Sequence, residues 1–328
     1  MDLSTTYLGL KLKHPLMPGA SPMVDDLDLV KKLEDAGAAA IVMHSLFEEQ
    51  IVAEQEAARQ VDSHAESFAE ALSYLPNPSE FRLGPDKYLE QIRKIKKAVG
   101  VPLIASLNGT SKGGWIRYAK LMQEAGADAL ELNTYTVATD PTKRSERIEA
   151  DILDLVKSVK DTVKIPVSVK LSPFFTSLPN FAAKLSQIPV DGIVLFNRFY
   201  QSDIDVNELK IVRSLHLSNS SELLLRLHGL GLLSGRVNGS LAVSGGVHNG
   251  IDAIKALMSG AHAVQMVSAI LQHGPNRLNV IREELVRWME ENEYESVRQM
   301  VGSMSLLKCP DPHAVERLNY MEVLKSWK

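Results

Sequence analysis

Glu34-Asp35-Ala36-Gly37-Ala38-Ala39-Ala40-Ile41-Val42-Met43 reads as the end of a helix, a glycine and then an apolar strand. The same phrase returns at Glu124-Ala125-Gly126-Ala127, which runs into Ala129-Leu130-Glu131-Leu132, and at Ser259-Gly260-Ala261, which runs into Ala263-Val264-Gln265-Met266. Each glycine can take the left-handed backbone that ends a helix, and small neighbours let that helix lie close on the strand. A second phrase alternates with it: Val99-Gly100-Val101-Pro102 leads into Leu103-Ile104-Ala105-Ser106, and Val163-Lys164-Ile165-Pro166 into Val167-Ser168-Val169-Lys170. Proline at the start of a strand forgoes an N–H that is little needed there. Helix-to-strand junctions repeated along a chain call for parallel strands, because each return crosses over through a helix.

Outward from these junctions, short apolar runs place strands at 16–20, 39–44, 102–106, 128–132, 166–170, 191–196, 240–243 and 262–266. Apolar residues at three-and-four spacing predict helices over 26–35, 114–124, 148–161, 250–258 and 276–290. The count predicts one α/β domain over 1–328, a parallel (β/α)8 TIM barrel ending in a carboxyl-terminal helix and tail. The stretches 45–90 and 197–221 are too long for a minimal strand-to-helix loop; both follow strands, so both are expected to cover the carboxyl end of the barrel.

Composition narrows the function. A chain of 328 residues, 45% of them hydrophobic, can bury a sizeable core. Its 36 Lys and Arg against 40 Asp and Glu leave a net charge of −4, which supplies no basic field for nucleic acid and no polybasic membrane patch. No run approaches the ~20 apolar residues that span a bilayer, and the first residues lack a signal-peptide pattern. A single cysteine, Cys309, suits a reducing compartment, so a cytoplasmic protein is expected. The nine histidines show no metal-binding spacing, and no Gly-x-Gly-x-x-Gly follows an early strand.

The chemical signal is strongest near the end. Ser244-Gly245-Gly246 follows the seventh strand and Val267-Ser268 the eighth, the place where such barrels hold phosphate. Paired glycines let main-chain N–H groups approach an anion, and the helix starting near Asn249 is expected to aim its own N–H groups there. A plain tight turn is the competing reading. Lys170 ends the fifth strand behind Val167 and Val169, so alternation aims it into the barrel mouth, where a buried cation needs an anionic partner. That partner is either a carboxylate such as Glu131 or a flavin, whose reduced ring is anionic and is favoured by a positive charge beside its pyrimidine edge. Asn133 and Asn197 end the fourth and sixth strands, and their amides suit a uracil-like edge or a loop backbone equally. Ala20 and Ser21 after the first strand, and Ser106 and Asn108 on the third, are small or polar where a planar ring would lie. His44 ends the second strand as a lone rim histidine.

With those residues placed, the sequence resembles the dihydroorotate dehydrogenase family, in its soluble class, over nearly its whole length. The carriers are Tyr7-Leu8-Gly9-Leu10-Lys11-Leu12-Lys13-His14-Pro15-Leu16, Gly19-Ala20-Ser21, Glu131-Leu132-Asn133, Val169-Lys170-Leu171, and Ser244-Gly245-Gly246 through Gln265-Met266. The resemblance implies FMN, with its phosphate on the loops Ser244-Gly245-Gly246 and Val267-Ser268, and with Ala20, Ser21, His44, Ser106, Asn133 and Lys170 around the ring. It implies oxidation of dihydroorotate to orotate by hydride transfer to the flavin, a homodimer, and an electron acceptor that is fumarate, a nicotinamide or a partner flavoprotein.

Departures fall where the family handles protons. Its pattern of Asn, two residues, a Cys or Ser base, Pro and Asn reads here Asn133-Thr134-Tyr135-Thr136-Val137-Ala138, so Thr136 takes the position of the base. A threonine hydroxyl accepts a proton poorly without an activator, and the phenol of Tyr135 titrates near ~10. His44 stands in place of a lysine, Arg198 follows Asn197, Val267 replaces a glycine, and Tyr74 occupies the substrate loop that runs through Leu75-Pro76-Asn77. The substrate site expected from the resemblance is Tyr74, Leu75, Asn133, Asn197 and Arg198. Three readings follow: an FMN oxidoreductase of dihydroorotate or a related small molecule, an FMN-binding protein with an electron-transfer role, and a sugar-phosphate barrel without flavin.

Overall fold

The computed structural model describes residues 1–51, 84–109, 112–198, 202–212, 214–312 and 319–326. The chain opens on an antiparallel hairpin, β1 (Thr5–Tyr7) and β2 (Leu10–Leu12), whose two-residue turn holds Leu8 and Gly9 at φ 54° and 75°. Two successive positive φ values match the right-handed twist of the strands they join.

The eight expected strands follow: β3 (Leu16–Pro18), β4 (Ile41–Phe47), β5 (Leu103–Asn108), β6 (Ala129–Asn133), β7 (Val167–Leu171) and β8 (Gly192–Leu195), then, after a second hairpin of β9 (Asp203–Asp205) and β10 (Lys210–Val212), β11 (Ser240–Ser244) and β12 (Ala263–Met266). All eight pair in parallel in the order β3-β12-β11-β8-β7-β6-β5-β4. The Ala39 N–H donates to the Leu16 carbonyl at 3.1 Å, joining the start of β4 to β3 across the seam. The result is a (β/α)8 barrel.

Helices alternate with the strands: α1 (Leu27–Asp35), α2 (Pro85–Ala98), α3 (Lys112–Glu124), α4 (Ser145–Lys160), α5 (Leu178–Leu185), α6 (Leu223–Leu233), α7 (Gly250–Ser259), α8 (Ser268–His273) and α9 (Arg277–Glu291). The repeated junctions behave as their composition predicts. Gly37, Gly126 and Gly260 have φ of 92°, 105° and 125°, values that side chains rarely tolerate, and each ends a helix just before a strand.

Strand alternation divides the core in two. Ile41, Met43, Leu103, Leu130, Val169, Ile193, Val243 and Met266 face the helices, while Met17, Ala40, Val42, Ile104, Ala129, Val194, Ala242 and Ala263 face inward. Tyr7, Leu8 and Leu12 of the first hairpin join the inward group, and the Leu8 N–H donates to Ser240 Oγ at 3.2 Å. The hairpin therefore packs into the base of the barrel, and polar chemistry is left to the carboxyl end. Both hairpins fall outside the sequence expectation, which treated 197–221 as irregular; strands of three residues are too short for a periodicity signal. Most of the 45–90 stretch lies outside the described residues. Among the described residues, no helix is long and apolar enough to cross a membrane.

Candidate active site

The alternation that sends Ile104, Ala129 and Ala242 inward also sends Ser106, Asn108, Glu131, Asn133, Ser168, Lys170, Ser244 and Gln265 inward, and all of them are buried. Lys170 and Glu131, 6% and 0% exposed, form an ion pair at 3.3 Å. The second carboxylate oxygen of Glu131 accepts a hydrogen bond from Gln265 Nε2 at 2.6 Å. Asn133 pairs in register with Lys170, and Glu131 with Ser168, so the carboxylate lies one layer deeper than the ammonium. The Tyr7 phenol is held well above its ordinary pKa, by burial first and then by the charge of Glu131. From the base upward the axis thus runs phenol, carboxylate, ammonium, mouth. Of the two partners anticipated for Lys170, the carboxylate is present.

At the mouth, Asn197 Nδ2 donates to Asn133 Oδ1 at 2.7 Å, and the Asn197 N–H donates to the Leu171 carbonyl at 2.7 Å. The two asparagines act as one unit. The Thr134 hydroxyl donates to the Lys170 carbonyl at 3.1 Å, which fixes the start of the loop after β6.

The second strand differs from expectation. Its register against β5 slips between Val42 and Ser45, so Val42 pairs with Ile104 but Ser45, not His44, pairs with Ser106. Such a bulge reverses which side chains face in. Ser45 Oγ lies 2.8 Å from Ser106 Oγ, while His44 Nδ1 lies 2.8 Å from Asp25 Oδ1 and its ring meets Tyr88 edge-on at 5.0 Å. The Tyr88 hydroxyl fills the gap in the ladder, donating to the His44 carbonyl at 2.8 Å and accepting the Ser106 N–H at 3.0 Å. Ser45 was not singled out from the sequence, since a bulge leaves no mark in residue type.

At the other side of the mouth, β11 ends in Ser244 and turns through Gly245 and Gly246 at φ 88° and 80°. A Cβ on Gly246 would lie 2.6 Å from the backbone nitrogen of Leu223, so only glycine lets this turn seat on the start of α6. Ser218 spans the turn and the eighth strand: its N–H donates to Ser268 Oγ at 3.0 Å, and its hydroxyl accepts the Gly246 N–H at 3.4 Å. Behind the turn, Arg226 Nε donates to the Ser244 carbonyl at 2.6 Å and Nη1 to the Glu222 carbonyl at 2.6 Å. Burial lowers the Arg226 pKa, with Glu222 opposing and Arg198 adding to the effect. Val267, the substitute for a glycine, puts Cγ2 within 3.0 Å of where a Cβ on Gly19 would sit, so the missing side chain at 19 accommodates the extra one at 267.

One expectation fails here. Three N–H groups around the start of α7 are occupied by side chains: that of His248 by Asp252, that of Gly250 by Glu284 and that of Asp252 by Asn249. Two acidic residues beside that helix start oppose an anion, which leaves Gly245, Gly246, Ser218 and Ser268 as the candidate donors. Ser218 and Arg226 were not identified from the sequence. Arg226 had a usable signal, a lone charge in the apolar run Leu223-Leu224-Leu225-Arg226-Leu227.

Of the remaining residues, Ala20 packs against the inward core and Ser21 is buried. Ser21 Oγ has no hydrogen-bond partner among the described residues, an uncommon state for a buried hydroxyl unless a ligand completes it. Arg198 pairs with Glu222 at 3.2 Å. Thr136 is exposed on the loop after β6, with no hydrogen-bonding activator among the described residues. Tyr74 and Leu75 lie outside the described residues. An orphaned hydroxyl at β3, an ammonium at β7 and a glycine cradle at β11 fit a long, phosphorylated, planar group.

A (β/α)8 barrel whose polar residues converge at the carboxyl mouth around a buried lysine is the architecture of an enzyme. The family model for dihydroorotate dehydrogenase matches residues 2–289, and the chain belongs to that family. It is similar to the catalytic subunit of dihydroorotate dehydrogenase B (NAD(+)) of Thermoplasma volcanium, 27% identical over 92% of this chain and 98% of the relative. The protein of the same description from Methanocaldococcus jannaschii is 26% identical over 92% of this chain and 97% of its own length. The NAD-dependent dihydropyrimidine dehydrogenase subunit PreA of Escherichia coli K12 is 23% identical over 92% of this chain and 76% of its own.

Proposed function

We propose that this chain is an FMN-dependent oxidoreductase that oxidises a carbon–carbon bond of a small dihydropyrimidine, dihydroorotate or a close relative, and works with an electron-transfer partner. The carrying observation is that Lys170, the Asn133–Asn197 pair and the Gly245–Gly246 turn share one mouth. Register makes this so: Lys170 pairs with Val194, which pairs with Ala242, two residues before Ser244. The names of the relatives, all dehydrogenases of reduced pyrimidines, support the same class of substrate.

Bound FMN supplies a hydride acceptor. The chain supplies the rest. Gly245 and Gly246 present N–H groups, and Ser218 and Ser268 hydroxyls, to the phosphate; the 3.4 Å bond between Gly246 and Ser218 is long and readily exchanged for an anion. Ser21, Ser106 and Ser45 line the ring with Ala20, and His44 braces the rim through Asp25. Lys170 holds positive charge at the mouth, kept there by Glu131. Asn133 and Asn197 present fixed amides to the substrate's polar edge, with Arg198 beside them; Tyr74 and Leu75, outside the described residues, are substrate contacts only by resemblance. Thr136 stands where the proton leaving the substrate would be taken, and as an unactivated hydroxyl it makes a slow base. The expected setting is the cytoplasm, and the expected assembly a homodimer.

The exposure of Thr136 favours a second reading, in which the chain binds FMN but does not oxidise dihydroorotate. The deciding experiment is the absorption spectrum of purified protein, followed by anaerobic addition of dihydroorotate and, separately, dihydrouracil. A yellow protein bleached by either establishes the dehydrogenase, one bleached by neither supports the second reading, and colourless protein that takes up no FMN refutes both.

A further inference from the structure

We propose that Arg226 is the fixed positive charge of the phosphate cradle, a positioning residue that makes this chain prefer a phosphorylated flavin to an unphosphorylated one. The inference rests on the FMN reading above and assigns a residue that reading did not require.

Arg226 sits among leucines on α6, and the helix turns it inward: it is 4% exposed, whereas Leu224 and Leu225 beside it are 66% and 50% exposed. Its two hydrogen bonds go to main-chain carbonyls, those of Ser244 and Glu222, both at 2.6 Å. Carbonyls orient a guanidinium without cancelling its charge. Among the described residues, no carboxylate lies within ion-pair reach of Arg226, and the Glu222 carboxylate is paired with Arg198 instead. A buried cation whose nearest counter-charge, Glu222, lies beyond ion-pair reach and is shared with Arg198 is costly, and arginine keeps its proton at any ordinary pH. Such a group is retained most readily where an anion arrives to balance it.

The geometry says which anion. Nη2 of Arg226 lies 3.0 Å from the point where a side chain on Gly245 would begin, so nothing stands between the guanidinium and the turn. The front of that turn carries the Gly246 N–H, with the Ser218 and Ser268 hydroxyls beside it. A phosphate monoester brings roughly −1.5 to −2 charges at pH 7, against none for the free isoalloxazine with its ribityl chain. In a site screened from water, one fixed charge behind the cradle acts on the phosphate and leaves the ring untouched.

The test compares the affinities of FMN and riboflavin, by quenching of flavin fluorescence, for the full chain and for two variants. Arg226→Gln keeps a donor and removes the charge; Arg226→Lys keeps the charge and loses the two-carbonyl geometry. The expected result is that wild-type protein prefers FMN, that Arg226→Gln weakens FMN by about 30-fold or more with riboflavin changed less than threefold, about 2 kcal/mol at 1.4 kcal/mol per decade, and that Arg226→Lys keeps most of the preference. If Arg226→Gln weakens both flavins equally, or neither, the residue is a structural support and the inference falls while the FMN reading stands. Wild-type protein that binds riboflavin as tightly as FMN overturns the inference even if both variants fail to fold. Wild-type protein that binds neither flavin overturns the FMN reading as well.

Discussion

The ammonium of Lys170 and the carboxylate of Glu131 face each other at 3.3 Å in the middle of the barrel, with Gln265 holding the far carboxylate oxygen at 2.6 Å. Two neighbouring strands, β6 and β7, meet β12 from across the barrel in that cluster. Removing one partner strands the other charge away from water, whereas removing both leaves only a packing defect. Glu131→Gln and Lys170→Met are each expected to lower unfolding free energy by about 3–5 kcal/mol, and the double variant by much less than their sum. Urea denaturation of the four proteins checks this; additive losses would mean the pair is not coupled.

The turn after β11 should be more sensitive than its backbone angle alone implies. Gly246 and Gly274 have nearly the same φ, 80° and 79°, but a Cβ on Gly274 meets nothing within 4 Å and one on Gly246 meets the Leu223 backbone. Alanine at 274 therefore meets backbone strain without a clash, about 1–3 kcal/mol, while alanine at 246 adds a clash with main chain that cannot move aside. We expect Gly246→Ala to lose FMN uptake and Gly274→Ala to retain it, read by flavin content after purification.

Acid should destabilise the fold in a defined window. His14 is buried, accepts the Leu16 N–H on Nδ1 and contacts the Gly37 carbonyl through Nε2 at 2.6 Å, which fixes the neutral ring. Burial, followed by the charges of Arg282 and Lys13 against the opposing Gly37 bond, brings its pKa down from 6.5 to about 4. The unfolded chain then binds the proton first, so His14 contributes stability above pH 6.5 that is lost as pH falls toward 4, on the order of 3 kcal/mol in full. Burial shifts His248 and His262 in the same direction. His14→Gln should flatten the pH dependence of the urea midpoint across that window; an unchanged slope would show that His14 does not set it.

A stronger base at the β6 loop should raise the rate. A thiol loses its proton near pH 8.5, far more readily than a threonine hydroxyl. Thr136→Cys is expected to accelerate anaerobic flavin reduction by dihydroorotate at least about tenfold at pH 8.5, the order of a partial general-base contribution. No acceleration, with FMN content unchanged, would place the proton acceptor elsewhere.

How far the sequence could be read differs from residue to residue. The sequence leaves Glu131 and a flavin as alternative partners of Lys170, because strand alternation gives direction and not which neighbour lies across. His44 was assigned to the ring, and a one-residue bulge in β4 turned it to Asp25 and brought Ser45 inward. The helix start near Asn249 reads as open to an anion, whereas Asp252, Glu284 and Asn249 take three of its N–H groups.

By itself the sequence determined the barrel, because helix-ending glycines and strand-opening prolines act within a few residues of where they stand, and because short apolar runs mark strands buried on both faces. It also determined that the Ser244-Gly245-Gly246 turn and Lys170 belong to the same end, since parallel strands share a direction. Tertiary structure alone decided which side chain touches which: the cross-barrel contact of Gln265 with Glu131, the bridge of Ser218 from Gly246 to Ser268, and the seat of Arg226 behind Gly245. Those depend on register, on one bulge and on helix placement, quantities fixed by packing among residues distant in the chain.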